Sequence, residues 1–116
     1  MFYSSPIPEI DVDDLALRMA DADQNLQLID VRERNEVAIA CIPQFEVLPL
    51  SEFERWSDSI LTRLNPEAET IVMCHHGMRS AQLCQWLIAR GFNNVKNVAG
   101  GIDAYSQAVD STIPRY

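Results

Sequence analysis

The sequence is poor in basic residues and contains no long hydrophobic run. Of its 116 residues only nine are Lys or Arg, against seventeen Asp or Glu, so the formal net charge is −8. A surface of this sign repels phosphate backbones and anionic lipids, and we expect neither a nucleic-acid nor a membrane partner. No segment approaches the roughly 18 apolar residues of a membrane span, and the start lacks the pattern of a secretory signal. We therefore expect a cytoplasmic protein.

Cysteine is scarce too, and its number is odd: the chain has Cys41, Cys74 and Cys84. An odd number in a chain without a secretory signal is a poor basis for a disulfide framework. Internal repeats, low-complexity tracts and Gly/Ser linkers are also absent. With 47% hydrophobic residues, the chain can build one core but is too short for two domains. We expect a single domain over residues 1–116.

Short apolar runs alternate along the chain with longer stretches of helical spacing. The apolar runs predict four strands, over 26–31, 47–50, 70–74 and 95–98. Helical spacing predicts six helices, over 11–20, 33–40, 51–56, 58–64, 80–91 and 100–105. Ser80 is the expected N-cap of the fifth of these helices. This alternation predicts a three-layer α/β domain with a mostly parallel sheet.

One loop of this framework carries reactive side chains. The central strand ends at Cys74, and the segment 75–80, His-His-Gly-Met-Arg-Ser, leads from it into the next helix. In parallel sheets, ligands bind where such loops leave the carboxyl ends of the strands. If the loop curls around the sulfur, the backbone N–H groups of residues 75–79 and the helix N-terminus form an anion cradle. Gly77 provides the backbone freedom that this curl needs.

A cradle of this kind favours the ionised form of the cysteine. The pKa of a free cysteine is near 8.5, and a helix N-terminus with nearby cations lowers it to about 3.5–7.5. A helix end contributes up to about 2 kcal/mol, which corresponds to about one pKa unit. Arg79 and the N–H donors must therefore supply the rest of the shift. We predict that Cys74 is a thiolate nucleophile.

At this point the chain resembles the rhodanese homology domain, and in particular its small single-domain sulfurtransferases. The resemblance is carried by three segments: Leu28-Ile29-Asp30-Val31-Arg32, the active-site loop from Ile71 to Ser80, and Val98-Ala99-Gly100-Gly101-Ile102. Together with the order of the elements, it covers residues 9–108. It implies a five-stranded parallel sheet flanked by helices, in a three-layer α/β/α arrangement.

The resemblance also implies a chemistry. Cys74 would attack the outer sulfur of thiosulfate, or of another sulfane donor such as a protein persulfide, and would carry that sulfur as a persulfide. The residues around the bound sulfur would be His75, His76, Gly77, Met78, Arg79 and Ser80. An acceptor such as cyanide, a small thiol or a partner protein would then remove the sulfur, which predicts ping-pong kinetics. Neither a cofactor nor a metal is expected.

Two other functions stay open. Cysteine-based phosphatases separate their cysteine and arginine by five residues, whereas four residues, 75–78, lie between Cys74 and Arg79. The smaller ring suits a single sulfur atom, so a small phosphatase or arsenate reductase is the less favoured alternative. The other alternative is a non-catalytic binding or regulatory module on the same scaffold, because a fold and a motif do not prove turnover.

Residues outside the loop are assigned simpler roles. The resemblance implies that Asp30 and Arg32 form a salt bridge that braces the loop from the neighbouring strand. Cys84 lies on the apolar stripe of its helix, which favours packing. Cys41 is also assigned to packing, although a redox pairing with Cys74 stays open.

The adjacent histidines of the loop invite a comparison with metal sites. His75 and His76 are neighbours in sequence, and neighbouring side chains rarely aim at one ion. We expect them to line the mouth of the pocket, where partial protonation would add positive potential near neutral pH. A merely solvated pair is the alternative.

Overall fold

Strands and helices alternate along the computed structural model, which describes residues 7–21 and 25–116. The strands in these residues are β1 (Glu9–Ile10), β2 (Gln27–Asp30), β3 (Glu46–Val47), β4 (Thr70–Met73) and β5 (Val95–Val98). The α-helices are α1 (Val12–Ala20), α2 (Arg34–Ile39), α3 (Phe53–Arg63), α4 (Met78–Ala89) and α5 (Gly101–Ala108), with a 3-10 turn, Leu50–Glu52, before α3. Within the described ranges, no helix is long and apolar enough to cross a bilayer.

The five described strands form one parallel sheet in the order β1-β5-β4-β2-β3. β4 is central, and its Thr70 pairs with Gln27 of β2 on one side and Val95 of β5 on the other. Because the strands are parallel, the segments that follow β2, β4 and β5 all start from the same edge of the sheet. The predicted α/β fold with a five-stranded parallel sheet is confirmed.

Helices cover both faces of the sheet, and each face encloses an apolar cluster. Alternate residues of β4 serve the two clusters, since Val72 belongs to one and Ile71 and Met73 to the other. The first cluster takes its helical residues from α3 and α4: Trp56, Ile60, Leu83, Cys84 and Leu87. The second takes them from α1 and α5: Val12, Leu15, Ile102 and Tyr105. Burying one such large side chain contributes about 1.5–3 kcal/mol to stability, so both helical layers are held to the sheet.

Several predicted elements differ from the observed ones, and one observed strand was not predicted. The two helices predicted over 51–56 and 58–64 are one helix, α3, because Trp56, Ser57 and Ile60 are buried along a single continuous face. Of the predicted strand 47–50, only Val47 belongs to an observed strand, β3, and Leu50 begins the 3-10 turn. The edge strand β1 has only two residues, too few to show a period of two in the sequence.

Candidate active site

The side chain of Cys74 lies at the carboxyl end of the central strand, directly after β4, and is 1% exposed. The helix that follows starts earlier than predicted. Gly77 is the N-cap of α4, with a φ of 111°, and Ser80 is in the first helical turn instead of capping it. A residue with a side chain is strained at this positive φ, so glycine at position 77 lets the chain turn sharply from Cys74 into α4.

Two hydrogen bonds point at the sulfur of Cys74. The backbone N–H of Gly77 donates to Sγ at 3.0 Å, and the hydroxyl of Ser80 donates to it at 3.3 Å. Burial by itself would raise the pKa of the Cys74 thiol. The hydroxyl and backbone N–H of Ser80, together with the N–H groups of Gly77 and His76, outweigh burial and lower that pKa. The loop is therefore a cradle that favours the thiolate.

The buried amide of Asn97, on β5, supports this cradle. Its Nδ2 donates to the carbonyl oxygen of Gly77 at 2.9 Å, and its Oδ1 is an alternative acceptor for the hydroxyl of Ser80. The Ser80 hydroxyl has one hydrogen, so it donates either to Asn97 or to the sulfur of Cys74. Asn97 was not predicted as a site residue. The sequence gives little signal for it, because Asn93, Asn94 and Lys96 make the stretch before Val98 polar.

The N-terminus of α5 holds the first peptide of the loop. The backbone N–H of Ile102 donates to the carbonyl oxygen of Cys74 at 2.9 Å, and that of Asp103 donates to the carbonyl oxygen of His75 at 3.2 Å. Gly101 has a φ of 60°, and a Cβ on it would lie 2.5 Å from the carbonyl oxygen of Cys74. Only a residue without a side chain lets α5 approach the loop so closely.

The guanidinium of Arg79 is paired with Glu36 of α2. Its two Nη atoms donate to the two carboxylate oxygens at 2.7 and 2.9 Å. This pairing, aided by further hydrogen bonds, lowers the pKa of Glu36 to about 2. The expectation that Arg79 supplies much of the shift in the thiol pKa therefore needs correction, because that shift comes from Ser80 and the loop N–H groups. Glu36 was not predicted as a site residue. The available signal was its spacing from Glu33, because two glutamates three residues apart form the capping box at the start of α2.

Asp30 and Arg32 form an ion pair that is almost completely buried. Their side chains are 1% and 0% exposed, and Nη2 of Arg32 lies 2.8 Å from Oδ2 of Asp30. The same Nη2 donates to the carbonyl oxygen of Ala40 at 2.8 Å. The pair therefore fixes the segment of α2 that carries Glu36, and it reaches the loop through Glu36 and Arg79.

The loop side chains differ in exposure. His75 is half-buried, with its ring 3.9 Å from the ring of His76 and 3.9 Å from that of Tyr116, measured between centroids. Burial and the neighbouring His76 lower the pKa of His75, which keeps its imidazole neutral at pH 7. Partial protonation of His75, expected from the sequence, is therefore disfavoured. Met78 is 82% exposed and lies at the rim.

Three residues near the loop have the donor atoms of a metal site. The ligand atoms of His75, His76 and Asp103 lie within 4.8 Å of one another, and Nε2 of His75 has no hydrogen-bond partner among the described residues. However, the carboxylate of Asp103 accepts two hydrogen bonds from the guanidinium of Arg115, at 2.9 and 3.2 Å. That cation already occupies the only acidic ligand, so the group is a poor fit for a metal ion.

The other two cysteines have contrasting environments. Cys84 is buried in α4, as expected for packing, and burial raises the pKa of its thiol to about 12. Cys41 is exposed, which corrects its assignment to packing. All three cysteines are free thiols.

Comparison with known proteins agrees with this fold. The family model described as Rhodanese-like domain matches residues 11–108. The chain is 47% identical over 113 residues to Rhodanese-like/PpiC domain-containing protein 12, chloroplastic, from Arabidopsis thaliana, covering 96% of this chain and 38% of that protein. It is 31% identical over 101 residues to a protein named Sulfurtransferase from Allochromatium vinosum, covering 87% and 90% of the two chains.

A solved structure gives the same result in three dimensions. The crystal structure of a rhodanese-like domain protein from Staphylococcus aureus superposes with a TM-score of 0.75 at 25% identity, covering 95% of this chain and 99% of that one. This chain belongs to the rhodanese-like domain family. It spans 38% of the length of its Arabidopsis relative, and the activity of that longer protein is a separate matter.

Proposed function

We propose that the chain is a sulfurtransferase in which Cys74 carries the transferred sulfur as a persulfide. The observation that carries the proposal is the pair of donors, the N–H of Gly77 and the hydroxyl of Ser80, directed at the sulfur of a buried cysteine. Family membership and the name of the Allochromatium relative support sulfur transfer in general. The donor, the acceptor and the persulfide itself belong to the proposal.

The first half-reaction loads the cysteine. The thiolate of Cys74 attacks the outer sulfur of thiosulfate, a new S–S bond forms, and the S–S bond of thiosulfate breaks. The electron pair of the broken bond leaves with sulfite. A protein persulfide can act as donor in the same way and leaves as a thiolate. The N–H of Gly77 and the hydroxyl of Ser80 then stabilise negative charge on the terminal sulfur.

The second half-reaction returns the enzyme to its starting state. A nucleophilic acceptor, such as cyanide or the thiolate of a small thiol or partner protein, attacks the terminal sulfur and forms a bond to it. The S–S bond to Cys74 breaks, and its electron pair restores the thiolate. Two displacements through one covalent intermediate give ping-pong kinetics.

The remaining predicted residues are assigned to this scheme by position. His75, His76 and Met78 line the approach to the sulfur, while Arg79 lies at the start of α4 in its pair with Glu36. Asp30 and Arg32 act as bracing residues from β2 through the α2 segment. The cytoplasmic location stays a prediction.

Intact-protein mass spectrometry tests the proposal. Reduced wild-type protein and its Cys74→Ser variant are treated with thiosulfate, or with a protein persulfide, and then with cyanide. We expect the wild type to gain one sulfur atom that cyanide removes, and the variant to gain none. Cys41→Ser is the matched control, since Cys41 is an exposed free thiol, and it should load like the wild type. Failure of every donor to load the wild type, or equal loading of Cys74→Ser, would contradict the proposal.

A further inference from the structure

Residues 109–116 form a tail that leaves α5 and folds back against the domain. Its start is fixed by the backbone N–H groups of Val109 and Asp110, which donate to the carbonyl oxygen of Tyr105. Further along, Ile113 packs against the second apolar cluster, and its carbonyl oxygen accepts a hydrogen bond from the hydroxyl of Ser106. The family match ends at residue 108, so the tail lies outside the residues that the family model matches.

The end of the tail is held on both sides of the Cys74 loop. On the α5 side, Arg115 donates two hydrogen bonds to Asp103. On the α2 side, the hydroxyl of Tyr116 donates to Oε1 of Glu36 at 3.0 Å and accepts from Nη1 of Arg32 at 2.9 Å. Helix α5 follows β5 and α2 follows β2, and β4 lies between these two strands. The tail therefore crosses the loop that leaves β4.

The ring of Tyr116 covers His75 where the tail crosses the loop. The two rings are stacked, with centroids 3.9 Å apart and an angle of 4° between their planes. His75 is the neighbour of Cys74, whose side chain is 1% exposed. His76 and Met78 are exposed on the uncovered side of the same loop. Reagents that approach Cys74 past His75 meet the tyrosine ring, whereas the rim at His76 and Met78 is open to solvent.

We propose that Tyr116 is a specificity-determining residue that, held by Arg32 and Glu36, excludes bulky sulfur donors and acceptors from the His75 side of Cys74. This inference rests on the proposed function for its biological meaning. Its physical content is steric, since a stacked ring fixed by two polar contacts cannot move aside without losing both contacts. Bulky thiols and bulky protein segments are therefore excluded from the His75 side of the loop.

The test measures access to Cys74 with two uncharged reagents of the same chemistry, maleimide and N-(1-pyrenyl)maleimide. All proteins carry Cys41→Ser, which removes the exposed competing thiol. The quantity compared is the ratio of the pyrenylmaleimide rate constant to the maleimide rate constant. For Tyr116→Ala we expect this ratio to rise roughly tenfold, the factor that about 1.4 kcal/mol represents. Tyr116→Phe keeps the ring but loses both polar contacts of the hydroxyl, so its ratio should lie between those of the parent and Tyr116→Ala.

Two controls separate steric cover from other effects. Thr112→Ala changes an exposed tail residue whose side chain bonds only within the tail, to Asp110, and it should leave the ratio unchanged. The ring protons of His75, followed by NMR, should shift in Tyr116→Ala and shift less in Tyr116→Phe, because the aromatic ring stacks on the imidazole. An unchanged ratio in Tyr116→Ala would overturn the inference. This includes an equal rise in both rate constants, which would indicate a more reactive thiol and not a wider entrance.

The same variants connect access to sulfur transfer. If thiosulfate loads the parent protein, Tyr116→Ala should gain turnover with a bulky aromatic thiol relative to cyanide. Alkylation needs only the thiol, so it tests the cover even if no sulfur donor loads Cys74. Failure of the proposed function and failure of this inference therefore give different results.

Discussion

The thiol of Cys74 is subject to two opposing effects. Burial favours the neutral form, and hydrogen bonds to the sulfur favour the anion; the hydrogen bonds prevail. In Cys84, one helical turn beyond Ser80, burial is unopposed and raises the pKa to about 12. Two cysteines in one core therefore differ in reactivity because only one of them faces donors.

Removing the hydroxyl of Ser80 should weaken the thiolate. We expect Ser80→Ala to raise the pKa of Cys74, since a hydrogen bond to a charged group contributes about 1.5 kcal/mol or more. Because alkylation follows the thiolate fraction, its inflection should move to higher pH and its rate near neutral pH should fall. Ser59→Ala removes a hydroxyl that donates within α3 and is the control. Equal profiles for wild type and Ser80→Ala would contradict this assignment.

Gly101 is expected to be the least replaceable glycine of the site. Ala at position 101 would combine a positive φ with a Cβ 2.5 Å from the carbonyl oxygen of Cys74. We expect Gly101→Ala to lower the free energy of unfolding by about 3 kcal/mol and to slow alkylation of Cys74. Gly91→Ala is the matched control, with a φ of 98° and open space around the added Cβ. Urea unfolding that shows equal losses would mean that backbone strain, and not the close approach, dominates.

At the scale of elements, the pair of Glu36 and Arg79 joins α2 to the start of α4. The folded-state pKa of Glu36 is about 2, against an ordinary value of 4.5. Its contribution to stability is therefore complete above pH 4.5 and is lost as the pH falls through about 2. A stability difference between the wild type and a Glu36 variant that shrinks at low pH therefore identifies this pair.

We expect Glu36→Gln to destabilise the protein by about 2 kcal/mol at pH 7, a value reduced for the partly exposed guanidinium of Arg79. The difference from wild type should shrink as the pH is lowered below 4.5, the ordinary pKa of this carboxyl. Urea unfolding at several pH values measures it. Glu52→Gln breaks an exposed pair with Arg34 and should have little effect. A difference independent of pH would show that lost packing, and not the charge, is responsible.

The elements that sequence analysis predicted best are those with a strong local signal. β4 is apolar from Ile71 to Met73, and α4 repeats Leu83, Cys84 and Leu87 along a single stripe. The start of α4 was misplaced because Ser80 has the residue type of an N-cap, whereas the observed cap, Gly77, acts through its backbone conformation. β1 was missed because its pairing with β5 is a tertiary contact.

At the scale of the whole molecule, the net charge of −8 opposes the approach of a dianion. Salt shortens the Debye length from about 30 Å at 0.01 M to about 8 Å at 0.15 M and screens this repulsion. We expect kcat/KM for thiosulfate to rise roughly threefold over that range. Alkylation of Cys74 by uncharged maleimide is the control and should not change. A fall in kcat/KM would instead show that positive potential near the loop, not net charge, governs the encounter.

The part of the candidate site that lies in one segment of the sequence was predictable. The part that comes from distant segments was not. Residues 74–80 lie in one segment, so their types and spacing were sufficient to predict a cysteine cradle. Asn97, Glu36 and Tyr116 reach the loop from other elements, and only the folded chain shows which polar side chains converge there. The role of Arg79 changed for the same reason, because its partner is 43 residues away.

The contacts of the cradle also have a consequence for biosynthesis. A chain emerges from the ribosome with its N-terminal part first, so Cys74 is synthesised before Asn97, Gly101 and Ile102. The nascent chain therefore presents an ordinary cysteine, because the amide that supports the loop and the helix that holds its first peptide have not yet been made. Activation of the sulfur coincides with completion of the fold, and unfinished chains carry a thiol without the cradle's enhancement of its reactivity.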